Sequence, residues 1–509
     1  MNKKQNILNI IFMGLMLFQI RSLNSYPVDT WFADGNLWYF GNITHFTSII
    51  DDPFAPFPDT LKPGYKSGLI VFGSGSNQPW NLILKTLARW GKWCGEPSFL
   101  ITVFPGLCAY YLGGWILFAR LLDKICLPAR CIGSLVYIFL PLGVNISRSI
   151  IPEVYAILLL AIQIYFLNTY YKTISRSNLA LFIISFCIST YFFPKNGIVM
   201  LCMTSLFAFS EKIYKKNNCL IWATTLLLFW CLICKYIYTK YNWTAGHGEQ
   251  ILVKQILLSQ AFWKGWLNVI QNYYHGIFVV VPLAILLSKR TSLLRLNICG
   301  ILLGYFTLGI YFSYHTYTHS YYSYPLILVL SLSWTALVET TTFYLTKIAA
   351  KRIYYSVVSS AFIVVILWLY GTQYVNIVNE RNNSIKKAQI IKERYNKIDE
   401  ITHQSKKVIF FTEANGTYFQ SFSMSDGFGW PSDGNYFGEK AVGKWIGVSK
   451  DEYYKFWFDE YLRNGAEYFA TDLIDEFKKQ GAITEKIEGS HHVLYHKDGL
   501  LIYDLKHQK

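Results

Sequence analysis

Charge is what this chain has least of. Only 15 % of its 509 residues are charged, against about a quarter in ordinary soluble proteins, and that shortage excludes a conventional water-soluble globule. Carboxylates are scarcer than cations, 31 Asp and Glu against 47 Lys and Arg, for a formal net charge of +16. Such an excess could serve nucleic acid, but the cations come in short clusters between apolar runs rather than on one amphipathic face. A disulfide framework is missing as well. Most of the ten cysteines, among them Cys108, Cys131, Cys187, Cys202 and Cys299, lie inside apolar segments and act as small hydrophobes. Cys231 and Cys234 form a C-x-x-C without the strand-to-helix setting of redox chemistry, so packing is the reading for them. There is no internal repeat and no low-complexity tract.

What is present is apolar and aromatic surface, 53 % hydrophobic and 18 % Phe, Trp and Tyr. A membrane-crossing helix needs about 20 mostly apolar residues, and on that basis about eleven are predicted. They run Ile7–Ile20, Pro97–Ala119, Cys131–Ile146, Glu153–Leu167, Leu179–Phe193, Gly197–Phe209, Cys219–Ile237, Ile277–Leu287, Leu296–Tyr314, Tyr324–Leu345 and Val357–Tyr370. The fifth and sixth are short and joined by Pro194 and Lys195, so they read as a hairpin whose tip need not cross fully. The predicted fold is mostly α, a polytopic transmembrane bundle over residues 1–375 with a small soluble α/β domain over 376–509.

Lysines and arginines orient it. Lys3/Lys4, Arg120/Lys124/Arg130, Lys172/Arg176, Lys212/Lys215/Lys216, Lys289/Arg290/Arg295 and Lys347/Lys351/Arg352 occupy alternate loops, which the positive-inside rule assigns to the cytoplasm together with the N-terminus. The remaining loops and the tail then face outward. The first outer loop, Arg21–Glu96, is far longer than a connector requires. It holds two amphipathic stretches, Thr30–Ile49 and Pro79–Trp90, of the kind that lie in the membrane interface, and Ile251–Leu258 with Phe262–Ile270 repeat that design later. In the tail, Asn376–His403 reads as a charged helix, Lys407–Thr412 and Glu467–Thr471 as strands and Lys450–Arg463 as an amphipathic helix. Val493–His496 and Leu500–Tyr503 read as a hairpin turned by Lys497–Gly499.

The candidate functional residues gather on the outer side. Asp34 opens an interfacial aromatic stretch, where a base could reach a substrate whose tail lies in lipid; the plainer reading is a helix N-cap. Arg148 and Glu153 bracket Ile151-Pro152 next to hydrocarbon. An arginine there can fork onto a phosphate, or it can merely snorkel while Glu153 caps a helix start. Lys195 is a second cation on that side, an anchor by default. His319, Tyr321 and Tyr322 share an outer turn; an aromatic belt explains the tyrosines better than the imidazole. His247 and Glu249 could bind a divalent metal, but two residues fall short of a ligand set, so no metal site is assigned.

The order of these pieces is that of a known family. An acidic residue in a long first outer loop, Gln78-Pro79-Trp80, Ser147-Arg148-Ser149-Ile150-Ile151-Pro152-Glu153, Pro194-Lys195 and His319-Ser320-Tyr321-Tyr322 together resemble the GT-C membrane glycosyltransferases, in particular bacterial relatives of protein O-mannosyltransferases and of the lipid A aminoarabinose transferase. The likeness covers most of the chain, including Gly427-Phe428-Gly429-Trp430 and Ile502-Tyr503-Asp504-Leu505 in the tail. Two departures stand out: Asp34 is followed by Gly35 where many relatives have a second carboxylate, and Gln78 stands where a His or charged residue often precedes the proline.

The resemblance implies a sugar donor carried on a polyprenyl phosphate and a protein, lipid or glycan acceptor, in a bacterial inner membrane. Asp34 would be the general base, Arg148 and Lys195 would hold the phosphate with His319, Tyr321 and Tyr322 beside it, and Glu153 and Gln78 would support them. Whether a divalent metal is needed stays open. A lipid-linked sugar flippase would instead need polar groups at the bilayer midplane and paired halves with broken helices. A glycan ligase or polymerase would share the donor.

Overall fold

The computed structural model describes residues 3–21, 99–148, 151–240, 254–274, 278–348, 390–405, 407–412, 427–431 and 445–508, with isolated positions between them. The chain forms two compact units, Met1–Leu23 with Val103–Tyr238 and Gln250–Asn379, and Asn24–Thr102 with Thr239–Glu249 and Glu380–Lys509.

The first unit is helical. Its elements are α1 (Lys3–Arg21), α2 (Phe99–Trp115), α3 (Leu127–Phe139), α4 (Pro141–Ser147), α5 (Glu153–Thr173), α6 (Arg176–Phe192), α7 (Pro194–Lys215), α8 (Cys219–Lys240), α9 (Gln260–Tyr274), α10 (Val280–Leu287), α11 (Ser292–Tyr311), α12 (Ser313–Thr318) and α13 (Pro325–Ile348). Among the described residues five helices are long and apolar enough to cross a membrane, α5, α7, α8, α11 and the stretch Ser320–Lys347 that contains α13. A sixth follows if α3 and α4, which meet at 62°, count as one broken span. The first and fifth expected segments are present as shorter apolar helices, and the expected span at Val357–Tyr370 falls almost wholly outside the described residues. The sixth differs from expectation. Pro194 occupies the first turn of α7, where its fixed φ favours helix and its missing N–H costs nothing, so the helix reaches 22 residues instead of stopping short.

Burial separates the helices by role. The window of α13 is 67 % buried and that of α8 only 22 %, with Trp222, Phe229 and Tyr236 exposed. In water such a helix would be untenable; in lipid its backbone is satisfied internally and its side chains are solvated. Helices α7 and α11 lie close because Gly300 and Gly304 leave room: a Cβ on Gly304 would sit 2.6 Å from the Val199 Cα, and one on Gly300 2.9 Å from the Met203 Cα. Helices α5 and α11 are joined by a reciprocal amide pair, Asn168 Nδ2 donating to Asn297 Oδ1 and Asn297 Nδ2 to Asn168 Oδ1, both at 2.8 Å.

The tail carries a five-stranded sheet of order β2-β1-β3-β5-β4, from β1 (Val408–Phe411), β2 (Gly427–Gly429), β3 (Tyr468–Thr471), β4 (His491–Lys497) and β5 (Leu500–Gln508). Strand β1 runs parallel to β2 and β3, and β5 antiparallel to β3 and β4. Alternation along β1 builds two cores, Val408 and Phe410 packing with Ile391 and Tyr395 of a helix over 390–402, Ile409 with Phe458 and Phe469 on the other face. The expected helix is α15 (Lys450–Arg463), numbered after α14 over 390–402, and it is opened by a capping box in which Ser449 accepts from the Glu452 N–H and its own N–H donates to Glu452. Strand β2 was not foreseen, being only three residues. Gly427 has φ +148°, and a Cβ there would meet the Val408 carbonyl at 2.2 Å.

Candidate functional site

One group of buried polar residues in the first unit lies where α5 and α7 begin. Helix α6 runs back between them, so both N-termini come to one end of the bundle. There Glu153, 1 % exposed, and Lys195 form an ion pair through Oε1 and Nζ. The ammonium also lies 3.9 Å from the centroid of the Tyr322 ring and 5.5 Å from that of Tyr321. Those tyrosines sit in a 3-10 turn, Ser320–Ser323, between α12 and α13. A lysine held this way has a fixed position and two aromatic faces.

The turn is itself held from behind. His315, 3 % exposed, stacks on Tyr322 at 5.3 Å and 9°, and His319 meets the His315 ring edge-on at 5.1 Å. From α9, Tyr274 donates to the Ser323 carbonyl at 2.7 Å, while Tyr305 of α11 lies 3.1 Å from the Ser323 hydroxyl and accepts from the Trp266 indole. Helix α9 covers the expected amphipathic stretch Phe262–Ile270: Phe262, Trp266 and Val269 are buried at i, i+4 and i+7, and Trp263 and Leu267 are exposed.

Asn196 ties the helix ends together. Its amide donates to the Ala156 carbonyl at 2.9 Å and to the Ser189 hydroxyl at 2.8 Å, and its oxygen accepts from Tyr324 at 2.6 Å, so α5, α6, α7 and the residue that leads into α13 meet at one side chain. Arg148, 4 % exposed, closes the C-terminus of α4, and α4 packs against α5, α9 and the 3-10 turn.

The structure thus brings Glu153, Lys195, Tyr321, Tyr322 and His319 into one cluster and sets Arg148 on a helix that borders it. Two sequence expectations change in content. Glu153 is the ion-pair partner of Lys195, a pairing not read from the sequence, and Lys195, whose default reading was a lone anchor, is an ion-paired side chain. Asp34, Gln78, His247 and Glu249 lie outside the described residues. Sequence reasoning missed Asn196, Tyr324 and His315; the available signal was their polarity at the ends of apolar runs. Among the described residues no group of three His, Cys, Asp or Glu could hold a metal ion.

No family model matches the chain, and no curated protein matches it. Solved structures do. ArnT from Cupriavidus metallidurans in the apo state is similar with a TM-score of 0.55 at 10 % identity, covering 97 % of either chain. ArnT from the same organism bound to undecaprenyl phosphate is similar with a TM-score of 0.52 at 12 % identity, again over 97 % of each chain. At such identities the likeness is one of fold: the chain shares the fold of these two ArnT structures over nearly its whole length, as the sequence resemblance leads one to expect.

Proposed function

We propose that this integral membrane protein is a glycosyltransferase that moves a sugar from a polyprenyl-phosphate donor to an acceptor hydroxyl on the non-cytoplasmic face, with inversion at the anomeric carbon. The observation that carries the reading is Lys195, a cation fixed between a carboxylate and two tyrosine rings at one end of a bundle whose fold is shared with an ArnT bound to undecaprenyl phosphate. Nucleotide sugars are too charged to cross a bilayer, so an outward-facing transferase needs a lipid-borne donor. The phosphate is a good leaving group, and what it requires is positive charge and hydrogen-bond donors rather than a general acid. Lys195 and Arg148 supply the charge, with Tyr321, Tyr322 and His319 beside them. Asp34 takes the acceptor proton as the hydroxyl attacks from the face opposite the phosphate. In this reading the chain crosses a bacterial inner membrane about eleven times, one helix per 20 or so apolar residues.

The test is transfer of sugar from a synthetic polyprenyl phosphosugar by the full-length protein in nanodiscs. Asp34→Asn is expected to lower turnover at least about 100-fold, as loss of a general base does, while donor binding persists; retained turnover would remove Asp34 from the mechanism. A lipid-linked sugar transporter is the second reading, favoured by the 62° break between α3 and α4. Transport would leave the sugar–phosphate bond intact in the same assay.

A further inference from the structure

We infer that Glu153 is a counter-charge that limits how tightly the site retains its spent lipid phosphate. The inference rests on the reading of Lys195 as a phosphate ligand given above. Glu153 is 1 % exposed, and only its Oε1 is engaged, by Lys195 Nζ; among the described residues Oε2 finds no hydrogen-bond donor. A buried carboxylate with half its acceptor capacity unmet is costly and is retained for a reason. Holding Lys195 in place needs one oxygen, and a neutral amide would hold it as well. What the second oxygen preserves is negative charge.

That charge discriminates between the two lipids the site must handle. The donor is a phosphodiester with a single negative charge. When the bond from the anomeric carbon to the phosphate oxygen breaks, its electron pair stays on the phosphate, and the product is a monoester with between one and two negative charges near neutral pH. A purely cationic site would therefore bind product more tightly than donor and stall after each transfer. A fixed carboxylate beside the cation weakens both, and the dianion more, because the repulsion scales with ligand charge. The Lys195 ammonium has three N–H donors, so it can serve Glu153 and a phosphate together.

The experiment measures binding of undecaprenyl phosphate and of its methyl diester, stand-ins for product and donor, to the full-length protein in nanodiscs. Glu153→Gln is expected to tighten the monoester about tenfold or more and the diester by a smaller factor, so that the preference for the monoester rises. Glu153→Ser should move the preference the same way, and Glu153→Asp, which keeps the charge, should leave it near that of the wild type. An unchanged preference in Glu153→Gln and Glu153→Ser overturns the inference. A Lys195→Gln protein that binds both lipids as the wild type does overturns the phosphate-site reading instead.

Discussion

Lys195 is half of an ion pair and half of an aromatic contact, and the two neighbours act on it in opposite ways. Glu153 offsets its charge, while the Tyr322 ring, 3.9 Å away, presents a negative face to it without carrying net charge. Neighbours of this kind set how an ammonium meets an anionic ligand, because they fix its direction and its effective charge. Tyr322→Leu removes the ring, and with about 1 kcal/mol lost from a cation–π contact binding of undecaprenyl phosphate should weaken about fivefold. Tyr322→Phe, which keeps the ring, should bind within about twofold of the wild type. Equal affinities for all three proteins would separate the ring from the function of the lysine. Lys195, Tyr321 and Tyr322 were legible as polar residues at the ends of apolar runs. The Glu153 partnership was not, since it joins residues 42 positions apart.

At the scale of elements, close helix packing positions the cluster. Val199, one turn into α7 from Lys195, lies where a Cβ on Gly304 of α11 would be, 2.6 Å from its Cα. Gly304→Val should therefore push α7 and α11 apart. Overpacking of this sort costs about 1–3 kcal/mol, seen as a lower thermal midpoint in detergent and as weaker lipid-phosphate binding; an unchanged midpoint would mean the two helices slide freely. In the tail, local chemistry was enough to read most elements: the Ser449–Glu452 capping box opens α15, and Asp498 and Gly499, both at positive φ, turn the hairpin of β4 and β5. Strand pairing there has its own electrostatics. Lys407 donates to Glu467 at 2.9 Å, and that bond holds the Glu467 carboxyl below its ordinary value of 4.5. A depressed carboxyl stabilises the fold fully above its unfolded pKa and loses that contribution as the pH falls through the folded one. Amide protection factors at β1 and β3 of the full-length protein should drop below about pH 4.5 by an amount equivalent to about 0.5 kcal/mol. Lys407→Ala should abolish that part of the drop, and a variant with an unaltered pH profile would show the pair to be inert.

For the molecule as a whole, sidedness is the property on which the function depends. If the cations of alternate loops face the cytoplasm, a periplasm-dependent reporter fused after Lys509 is active and one fused between Lys172 and Arg176 is silent. The opposite pattern would put the Lys195 cluster on the cytoplasmic face and end the proposal of a lipid-borne donor. Composition and periodicity by themselves determined that the chain lives in a membrane, that it is helical there, and that it carries an α/β tail. Each of these follows from local rules: about 20 apolar residues span a bilayer, and alternation marks strands. Only the tertiary structure decided which of its polar residues touch. A partner is chosen by helix packing, and packing depends on where glycines permit approach and where a single amide such as Asn196 can reach two other helices and the turn before a third. Those are relations between distant parts of the chain, and no local pattern encodes them.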